Sequence, residues 1–245
     1  MRNSFIKTIA FLFFSFLFLS GGTVALAQSE YRFRVRHDHL RKYCEGELVL
    51  SETGVEYVTA NTEHARKWAY VDIKMLKLVS PTKFQVLTYE GSRRQLGRDR
   101  EFKFELVEGE ISREVSDFLL PRVKKPVLNT FVATDQQPLY LIPVRHRQGF
   151  GGGGTGALKV YPDGLVYESE NDKENSRYWR WSDIQGIARS GQFRFSVTTF
   201  EPQFGGPTRS FNFDLKEAMD DRVYDYLWDR VFKVRYYPPA PSTRQ

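Results

Sequence analysis

The amino-acid sequence predicts a mainly β protein with some helix, an α+β fold class, organised as two similar domains. Each domain is expected to contain about seven antiparallel strands, which form a bent sandwich or barrel, and one C-terminal helix that caps it. Three observations predict this organisation. The two halves of the 245-residue chain repeat each other, most segments alternate apolar and polar residues as strands do, and the last segment of each half changes to helical spacing.

The internal repeat aligns the two halves at an offset that drifts only between 111 and 108 positions. The matched pairs are GELVLSETGVEY (46–57) with GALKVYPDGLVY (156–167), WAYVDI (68–73) with WRWSDI (179–184), EFKFEL (101–106) with SFNFDL (210–215), and VSDFLLPRV (115–123) with VYDYLWDRV (223–231). This period is too long for a solenoid, so each copy is expected to be a domain of its own.

The first 27 residues are predicted to be a secretory signal peptide rather than part of the fold. Arg2 and Lys7 give a positive end, an apolar run follows at 9–19, and small residues precede a cleavage site after Ala27. This is the layout of an export signal. The protein is therefore expected to be periplasmic or extracellular, with an uncleaved N-terminal membrane anchor as the alternative.

Turn sequences and periodicity place the elements within each half. The segments SETG at 51–54 and PDG at 162–164 are typical of tight hairpin turns. Phe102 and Phe104 alternate with charged residues, as in a strand with one buried face. Pro121 is expected to end the first closing helix early. Apolar residues four positions apart predict the two closing helices, at Ile111, Val115, Leu119 and Val123 and at Met219, Val223, Leu227 and Val231.

These signals divide the chain into segments. The first domain is predicted at 28–125 and the second at 139–235, joined by a linker at 126–138. A Pro-rich tail follows at 236–245 and is expected to be extended, without a packed core.

The stretch YWRWSDI at 178–184 is rich in large aromatic residues. Strand alternation predicts that Trp179 and Trp181 face the same side, where they fill the core of a small domain. Asp72 and Asp183 recur in the two copies and are expected to cap the turn before the next strand.

Charge and cysteine usage restrict the function classes. Removal of the predicted signal peptide leaves 34 Lys and Arg against 30 Asp and Glu, because the 36 basic residues of the full chain include Arg2 and Lys7. The resulting net charge of +4 is mildly basic and does not suit a nucleic-acid binder. Cys44 is the single cysteine, so packing rather than a disulfide must stabilise the fold.

The order of these segments resembles the pleckstrin-homology superfold, in particular its GRAM-like branch. The resemblance covers 31–123 and 139–232, and Trp228 resembles a tryptophan that many members carry in the last helix, where the first copy has Leu120. It implies a tandem of PH-like domains in an exported bacterial protein. Such domains bind lipid headgroups, peptides or partner domains and rarely catalyse reactions, and the fold does not choose among these ligands.

Basic residues form the first candidate site. In the family, basic residues at the end of the first strand and into the second bind anionic headgroups, and Arg36, Arg41 and Lys42 resemble that arrangement. A second basic loop contains Arg93 and Arg94. Paired guanidinium donors recognise phosphate or carboxylate groups. The alternative interpretation is a solvated strand face on which acidic residues are interspersed.

A possible metal site is the second candidate. His37 and His39 share a face if they lie in a strand, and Cys44 supplies a third zinc ligand. The alternative is that His37 is a buried, hydrogen-bonded structural residue, because His146 repeats it in the other half.

The sequence carries no nucleophile elbow, HExxH motif or Ser-His-Asp set. The glycine-rich stretch at 149–156 has nominal dinucleotide-binding spacing, but a strand follows it instead of the helix that such binding needs. We therefore expect a protein that is not an enzyme and uses no cofactor.

The predicted function is an exported binding or adaptor protein that engages an envelope protein or an anionic lipid surface, and not nucleic acid. Two alternatives remain open at this stage. One is capture of a ligand or metal by His37, His39 and Cys44. The other is a purely structural role for the two copies.

Overall fold

A computed structural model describes residues 30–38, 43–92, 97–130, 136–149, 153–172, 175–202 and 206–233. The predicted signal peptide (1–27) and the predicted tail (236–245) lie outside the described residues. Within the described part of the chain, no helix is long and apolar enough to cross a membrane. Below, the first half means the described residues up to 130 and the second half those from 136 onward.

The first half follows the predicted turns and alternation. Its elements are β1 (Tyr31–Asp38), β2 (Tyr43–Leu50), β3 (Gly54–Val58), β4 (Arg66–Ala69), β5 (Ile73–Ser80), β6 (Lys83–Gly91), β7 (Asp99–Leu106), α1 (Arg113–Leu119) and β8 (Val127–Asn129). The SETG segment forms the predicted hairpin turn, closed by a 2.9 Å hydrogen bond from the N–H of Ser51 to the carbonyl oxygen of Gly54.

The second half repeats this order. Its elements are β9 (Tyr140–Arg147), β10 (Gly153–Val160), β11 (Gly164–Ser169), β12 (Arg177–Arg180), β13 (Ile184–Arg189), β14 (Arg194–Thr199), β15 (Arg209–Leu215) and α2 (Asp221–Trp228). A π-helical turn, Asp229–Lys233, continues α2. The PDG segment also forms its predicted hairpin turn, in which the N–H of Tyr161 donates to the carbonyl oxygen of Gly164 at 2.9 Å.

All fifteen strands of the described residues belong to one mixed sheet. The strand order is β13-β14-β15-β9-β10-β11-β12-β8-β5-β6-β7-β1-β2-β3-β4. The chain is therefore mainly β, but the prediction of two separate seven-stranded domains, each capped by a helix, is wrong. The helices in the described residues are also short, with seven residues in α1 and eight in α2.

The two halves share a sheet because of β8, which lies inside the segment 126–138 that the sequence analysis assigns to a linker. On one side β8 pairs in parallel with β5, where Val127 lies opposite Leu76. On the other side it pairs antiparallel with β12, where Asn129 lies opposite Tyr178. Since β8 is hydrogen-bonded to a strand of each half, no sheet boundary separates them.

Each half nevertheless keeps its own hydrophobic core. One cluster of buried side chains extends from Val35 on β1 to Val127 on β8, and the other extends from Ile142 on β9 to Val231 after α2. Both cores collect the inward residues of alternating strands, as the period of two predicts. The molecule is one sheet with two cores.

The centre of the first core is an aromatic group around His37. The His37 ring lies 5.5 Å from Tyr57, 5.8 Å from Phe102 and 5.0 Å from Phe104, measured between ring centroids. Trp68 contacts this group through Phe102 at 4.7 Å.

The second core repeats this arrangement around His146. The corresponding centroid distances are 5.2 Å to Tyr167, 5.6 Å to Phe211 and 5.2 Å to Phe213. Trp179 contacts Phe211 at 4.8 Å. Because the same rings recur at closely similar distances, the sequence repeat is also a repeat of core packing.

Both helices begin at side-chain caps. The hydroxyl of Ser112 accepts a hydrogen bond from the N–H of Val115, and the carboxylate of Asp220 accepts one from the N–H of Arg222 at 2.8 Å. Helix α1 ends at Leu119, two residues before Pro121. The predicted early end of this helix is therefore confirmed.

Candidate functional site

Arg180, the last residue of β12, joins the second half to the segment that follows α1. Its Nη1 donates to the carbonyl oxygens of Leu120 (2.6 Å) and Val123 (2.7 Å), and its Nη2 donates to that of Lys125 (2.9 Å). The other two bonds go to Asp183, at 2.6 and 2.7 Å. All five guanidinium N–H groups are thereby used. With 15% of its side chain exposed, Arg180 acts as a clamp between the halves.

The chain turns after Arg180, and the two tryptophans on either side of this residue differ in burial. A 3₁₀ turn, Trp181–Asp183, follows the end of β12. Trp179 is fully buried in the second core, whereas Trp181 is only partly buried and packs against the edge of that core. Both rings therefore contact the same core, and Trp181 lies at its edge because β12 ends at Arg180.

Asp183 serves the clamp and does not have the predicted turn-capping role. Its side chain is buried and binds the Arg180 guanidinium through both oxygens. Its counterpart Asp72 is exposed, and the counterpart of Arg180 is Ala69. The clamp is therefore a property of the second half alone.

The orientation of Trp181 is fixed by a hydrogen bond to the neighbouring hairpin turn. Its Nε1 donates to the carbonyl oxygen of Pro162 at 2.9 Å. Tyr70, which occupies the same place in the first half, donates in a similar way to the carbonyl oxygen of Ser51 at 2.8 Å. Both halves therefore share this hydrogen bond. Trp181 differs from Tyr70 because residues of the first-half segment 120–124 line the same cleft as Trp181.

A cleft of about 580 Å³ opens at this junction of the two halves. Its lining consists of Asp117, Leu120, Pro121, Val123 and Lys124 from the first half and Asp163, Tyr178, Arg180, Trp181 and Ser182 from the second. Leu120, Pro121 and Trp181 supply apolar surface. The exposed side chains of Asp117, Lys124 and Asp163 place charges of both signs at its margin.

Tyr178 fixes the position of Asp163 in the cleft. Its hydroxyl donates to Oδ2 of Asp163 at 2.8 Å. Burial raises the pKa of the Tyr178 phenol, and the hydrogen bond to Asp163 and the charge of that residue raise it further. The phenol therefore stays protonated at physiological pH and keeps Asp163 in place.

The structure describes one of the predicted anion-binding residues. Arg36 lies on β1 with its Nε 3.7 Å from a carboxylate oxygen of Glu45, and its guanidinium lies 5.1 Å from the centroid of the Tyr43 ring. The other predicted members of that site, Arg41, Lys42, Arg93 and Arg94, lie outside the described residues. The anionic site at these residues stays a prediction.

Two of the three predicted metal ligands lie opposite each other on β1 and β2, namely His37 and Cys44. Nδ1 of His37 is 2.9 Å from the carbonyl oxygen of Lys103, and Sγ of Cys44 is 3.1 Å from the hydroxyl of Tyr57. His39 is outside the described residues. Among the residues that are described, no group of three His, Cys, Asp or Glu side chains suits a metal ion. The metal site also stays a prediction.

Sequence reasoning missed the junction cleft. Arg180 and Ser182 line it, and their counterparts in the first half are Ala69 and Val71. The neighbouring core residue Trp179, by contrast, is kept as Trp68 in the first half. The sequence signal for the cleft is therefore a difference between the two copies at positions outside the core. Packing of the core does not require these residues to differ.

Comparison with known proteins leaves the family open. No family model matches the chain, and no curated protein matches it. The crystal structure of the C-terminal domain of an unknown protein from Leishmania infantum is 17% identical, with a TM-score of 0.30, over 39% of this chain and 84% of that chain. The structure of the Spt16D Pob3N heterodimer is 10% identical, with a TM-score of 0.31, over 75% of this chain and 96% of that chain. Scores this low decide neither fold nor function, and the pleckstrin-homology resemblance stays a prediction.

Proposed function

We propose that this protein is an exported, non-catalytic binding protein that engages a protein partner of the cell envelope through the junction cleft. The observation that carries the proposal is the cleft of about 580 Å³ between the two halves. The partner inserts an apolar side chain between Leu120, Pro121 and Trp181, and its polar groups meet the charged margin.

The lining of the cleft supports a protein partner. Ligand sites typically have volumes of about 300–1,000 Å³ and combine apolar walls with a few placed polar groups. Tryptophan, tyrosine and arginine dominate the binding energy of protein interfaces, and the cleft contains Trp181, Tyr178 and Arg180. Interfaces also surround their apolar centre with a polar rim, as Asp117 and Lys124 do here.

The clamp supports the proposal because it holds the cleft open before binding. Arg180 fixes the carbonyl groups of Leu120 and Val123, and both residues line the cleft. Trp181 is held separately by its bond to Pro162. A site whose walls are already ordered loses less conformational entropy when a partner binds.

Photo-crosslinking from position 182 tests the proposal. Ser182 is exposed and lines the cleft, so a photoreactive residue there is expected to form an adduct with an envelope protein. The matched control is position 71, because Val71 is the first-half counterpart of Ser182 and is 73% exposed. Adducts of the same protein from both positions would contradict a site at the cleft.

Affinity measurements with the purified partner complete the test. Ser182→Arg places a long side chain at the cleft and is expected to weaken binding by at least about tenfold, equivalent to about 1.4 kcal/mol. Val71→Arg adds the same charge on the other half and is expected to leave affinity unchanged. Equal affinities for the wild-type protein and the Ser182→Arg variant would refute the proposed function.

A further inference from the structure

A second cleft, of about 420 Å³, lies on the outward face of β9, β13, β14 and β15. A row of short side chains crosses it, because Ala188 lies opposite Ser196 and Ser196 lies opposite Asn212. Arg147, which lies opposite Asn212 on β9, and Arg194 flank this row. Asp214 completes the charged part of the lining.

The same face of the first half has no corresponding row of short residues. There Lys77 lies opposite Gln85, and Gln85 lies opposite Lys103. Both lysines form ion pairs with Glu101, that of Lys103 at 3.6 Å. In the repeat, the counterparts of Lys77, Glu101 and Lys103 are Ala188, Ser210 and Asn212. Of these three short residues, Ala188 and Asn212 line the cleft, and they leave open the space that longer charged side chains occupy in the first half.

The charges that remain around the cleft are mostly positive. Nη1 of Arg147 is 3.7 Å and Nε of Arg194 is 4.0 Å from the same oxygen of Asp214, both beyond hydrogen-bond distance. Arg145 lies directly opposite Asp214 in the pairing of β9 and β15. Arg147 and Arg194 thus share one carboxylate, and within the described part of the chain neither guanidinium group donates a hydrogen bond.

We infer that this cleft binds an oxyanion, the carboxylate or phosphate group of a small ligand, between Arg147 and Arg194. Guanidinium groups recognise such anions through charge-assisted hydrogen bonds, which are about twice as strong as neutral ones. The side-chain amide of Asn212 adds uncharged donors at the floor of the cleft, whereas the Ser196 hydroxyl donates to the carbonyl oxygen of Ala188 at 3.4 Å. The carboxylate of Asp214 lies near both guanidinium groups and so holds them close together. A ligand with more than one negative charge attracts the two arginines more strongly than this single carboxylate does and displaces it.

The site is distinct from the junction cleft in every residue of its lining. It is also distinct from the predicted site at Arg36, whose face is neutralised by paired carboxylates. Arg32 and Arg34 beside it donate to Glu47 at 2.6 Å and to Glu45 at 3.0 Å. Anion binding is therefore expected on the second half and not on the equivalent face of the first.

Titration of the isotopically labelled protein with inorganic phosphate and with citrate, at low ionic strength, tests the inference by NMR. We expect saturable shifts of the Ser196 and Asn212 amide signals for at least one of the two anions. The Arg147→Ala/Arg194→Ala variant should weaken binding by at least about tenfold. The Lys83→Ala variant removes the first-half counterpart of Arg194 and should leave affinity unchanged.

A charge-increasing variant separates a built site from general attraction. Ala188→Lys, Ser210→Glu and Asn212→Lys together restore the first-half pattern, fill the cleft and add one net positive charge. We expect this triple variant to lose phosphate and citrate binding. Tighter binding would overturn the inference, because attraction by net charge alone rises with added charge.

Vesicles distinguish a free anion from a lipid headgroup. The protein is mixed with phosphatidylcholine vesicles that either contain or lack phosphatidylglycerol. Binding of phosphate or citrate, with no binding to either kind of vesicle, supports a small-ligand site. Cosedimentation with the anionic vesicles alone, with no response to phosphate or citrate, would overturn the inference.

Discussion

Arg180 donates a 2.6 Å hydrogen bond to the carbonyl oxygen of Leu120, sixty residues earlier in the chain. Leu120 is the first residue after α1 in the first half, and Arg180 is the last residue of β12 in the second. Their contact lies beside β8, the strand that joins the two halves into one sheet. Backbone pairing and one side-chain clamp therefore act at the same junction, and the candidate binding cleft opens beside them.

Replacement of Arg180 by alanine is expected to destabilise the protein by about 3–5 kcal/mol, the range for breaking a buried ion pair. The variant leaves the buried carboxylate of Asp183 without its cation and three carbonyl groups without their donor. Urea denaturation monitored by tryptophan fluorescence measures this change in the free energy of unfolding.

The control for this prediction is Arg34→Ala, on an exposed ion pair with Glu45. That side chain is 58% exposed, and exposed pairs contribute only about 0–1 kcal/mol. A loss in the Arg180→Ala variant no larger than in Arg34→Ala would show that the clamp does not stabilise the junction.

Much of the local structure could be predicted from the sequence, because local rules decide it. The hairpin turns at 51–54 and 162–164 follow from their glycine and polar residues, and the end of α1 follows from Pro121. The repeat correctly placed equivalent aromatic residues, such as Trp68 and Trp179, in equivalent core positions. These features depend on neighbours in sequence or on alternation alone.

The arrangement of the halves could not be predicted in the same way. The three residues of β8 are too few to show an alternating pattern, and their pairing with β5 and β12 is long-range. The difference in burial between Trp179 and Trp181 depends on a 3₁₀ turn that begins within an apparently continuous strand. The cleft requires both features, so its residues could not be grouped before the fold was known.

Glu201→Gln is expected to destabilise the second half by about 3 kcal/mol, within the range for removing one partner of a buried ion pair. Glu201 pairs with Arg177 at 3.5 Å, and their side chains are only 4% and 9% exposed. Burial lowers the pKa of Arg177, and the charge of Glu201 opposes that shift. Glutamine retains an oxygen for the Trp179 indole N–H, which donates to Glu201 at 2.9 Å, so the variant removes chiefly the charge.

The first half provides the matched variant, Glu90→Gln. Glu90 is the counterpart of Glu201 in the repeat, but its side chain is 43% exposed and lies 3.4 Å from Arg100. This variant is expected to change the free energy of unfolding by less than about 1 kcal/mol. Chemical denaturation of both variants compares the two sites, and similar losses would contradict the assigned difference in burial.

Acidification is expected to destabilise the protein through His146, whose pKa is lowered to about 4. Burial is the main cause, and the charges of Arg209 and Arg177 contribute. Because the unfolded chain has the ordinary histidine pKa of about 6.5, it binds the proton first as the pH falls. The contribution of His146 is therefore complete above about pH 6.5 and is lost as the pH falls to about 4, by at most about 3 kcal/mol.

The His146→Leu variant isolates this contribution from carboxylates that titrate in the same range. Its stability should fall less steeply than that of the wild-type protein between pH 6.5 and pH 4, in urea denaturation at a series of pH values. The loss at neutral pH should be small, since Nδ1 of His146 has no hydrogen-bond partner among the described residues. His37→Leu is the control at neutral pH, because Nδ1 of His37 lies 2.9 Å from the Lys103 carbonyl oxygen. Loss of this hydrogen bond should lower the free energy of unfolding by about 1–3 kcal/mol. Parallel pH profiles for wild type and His146→Leu would exclude His146 as the group that responds to acid.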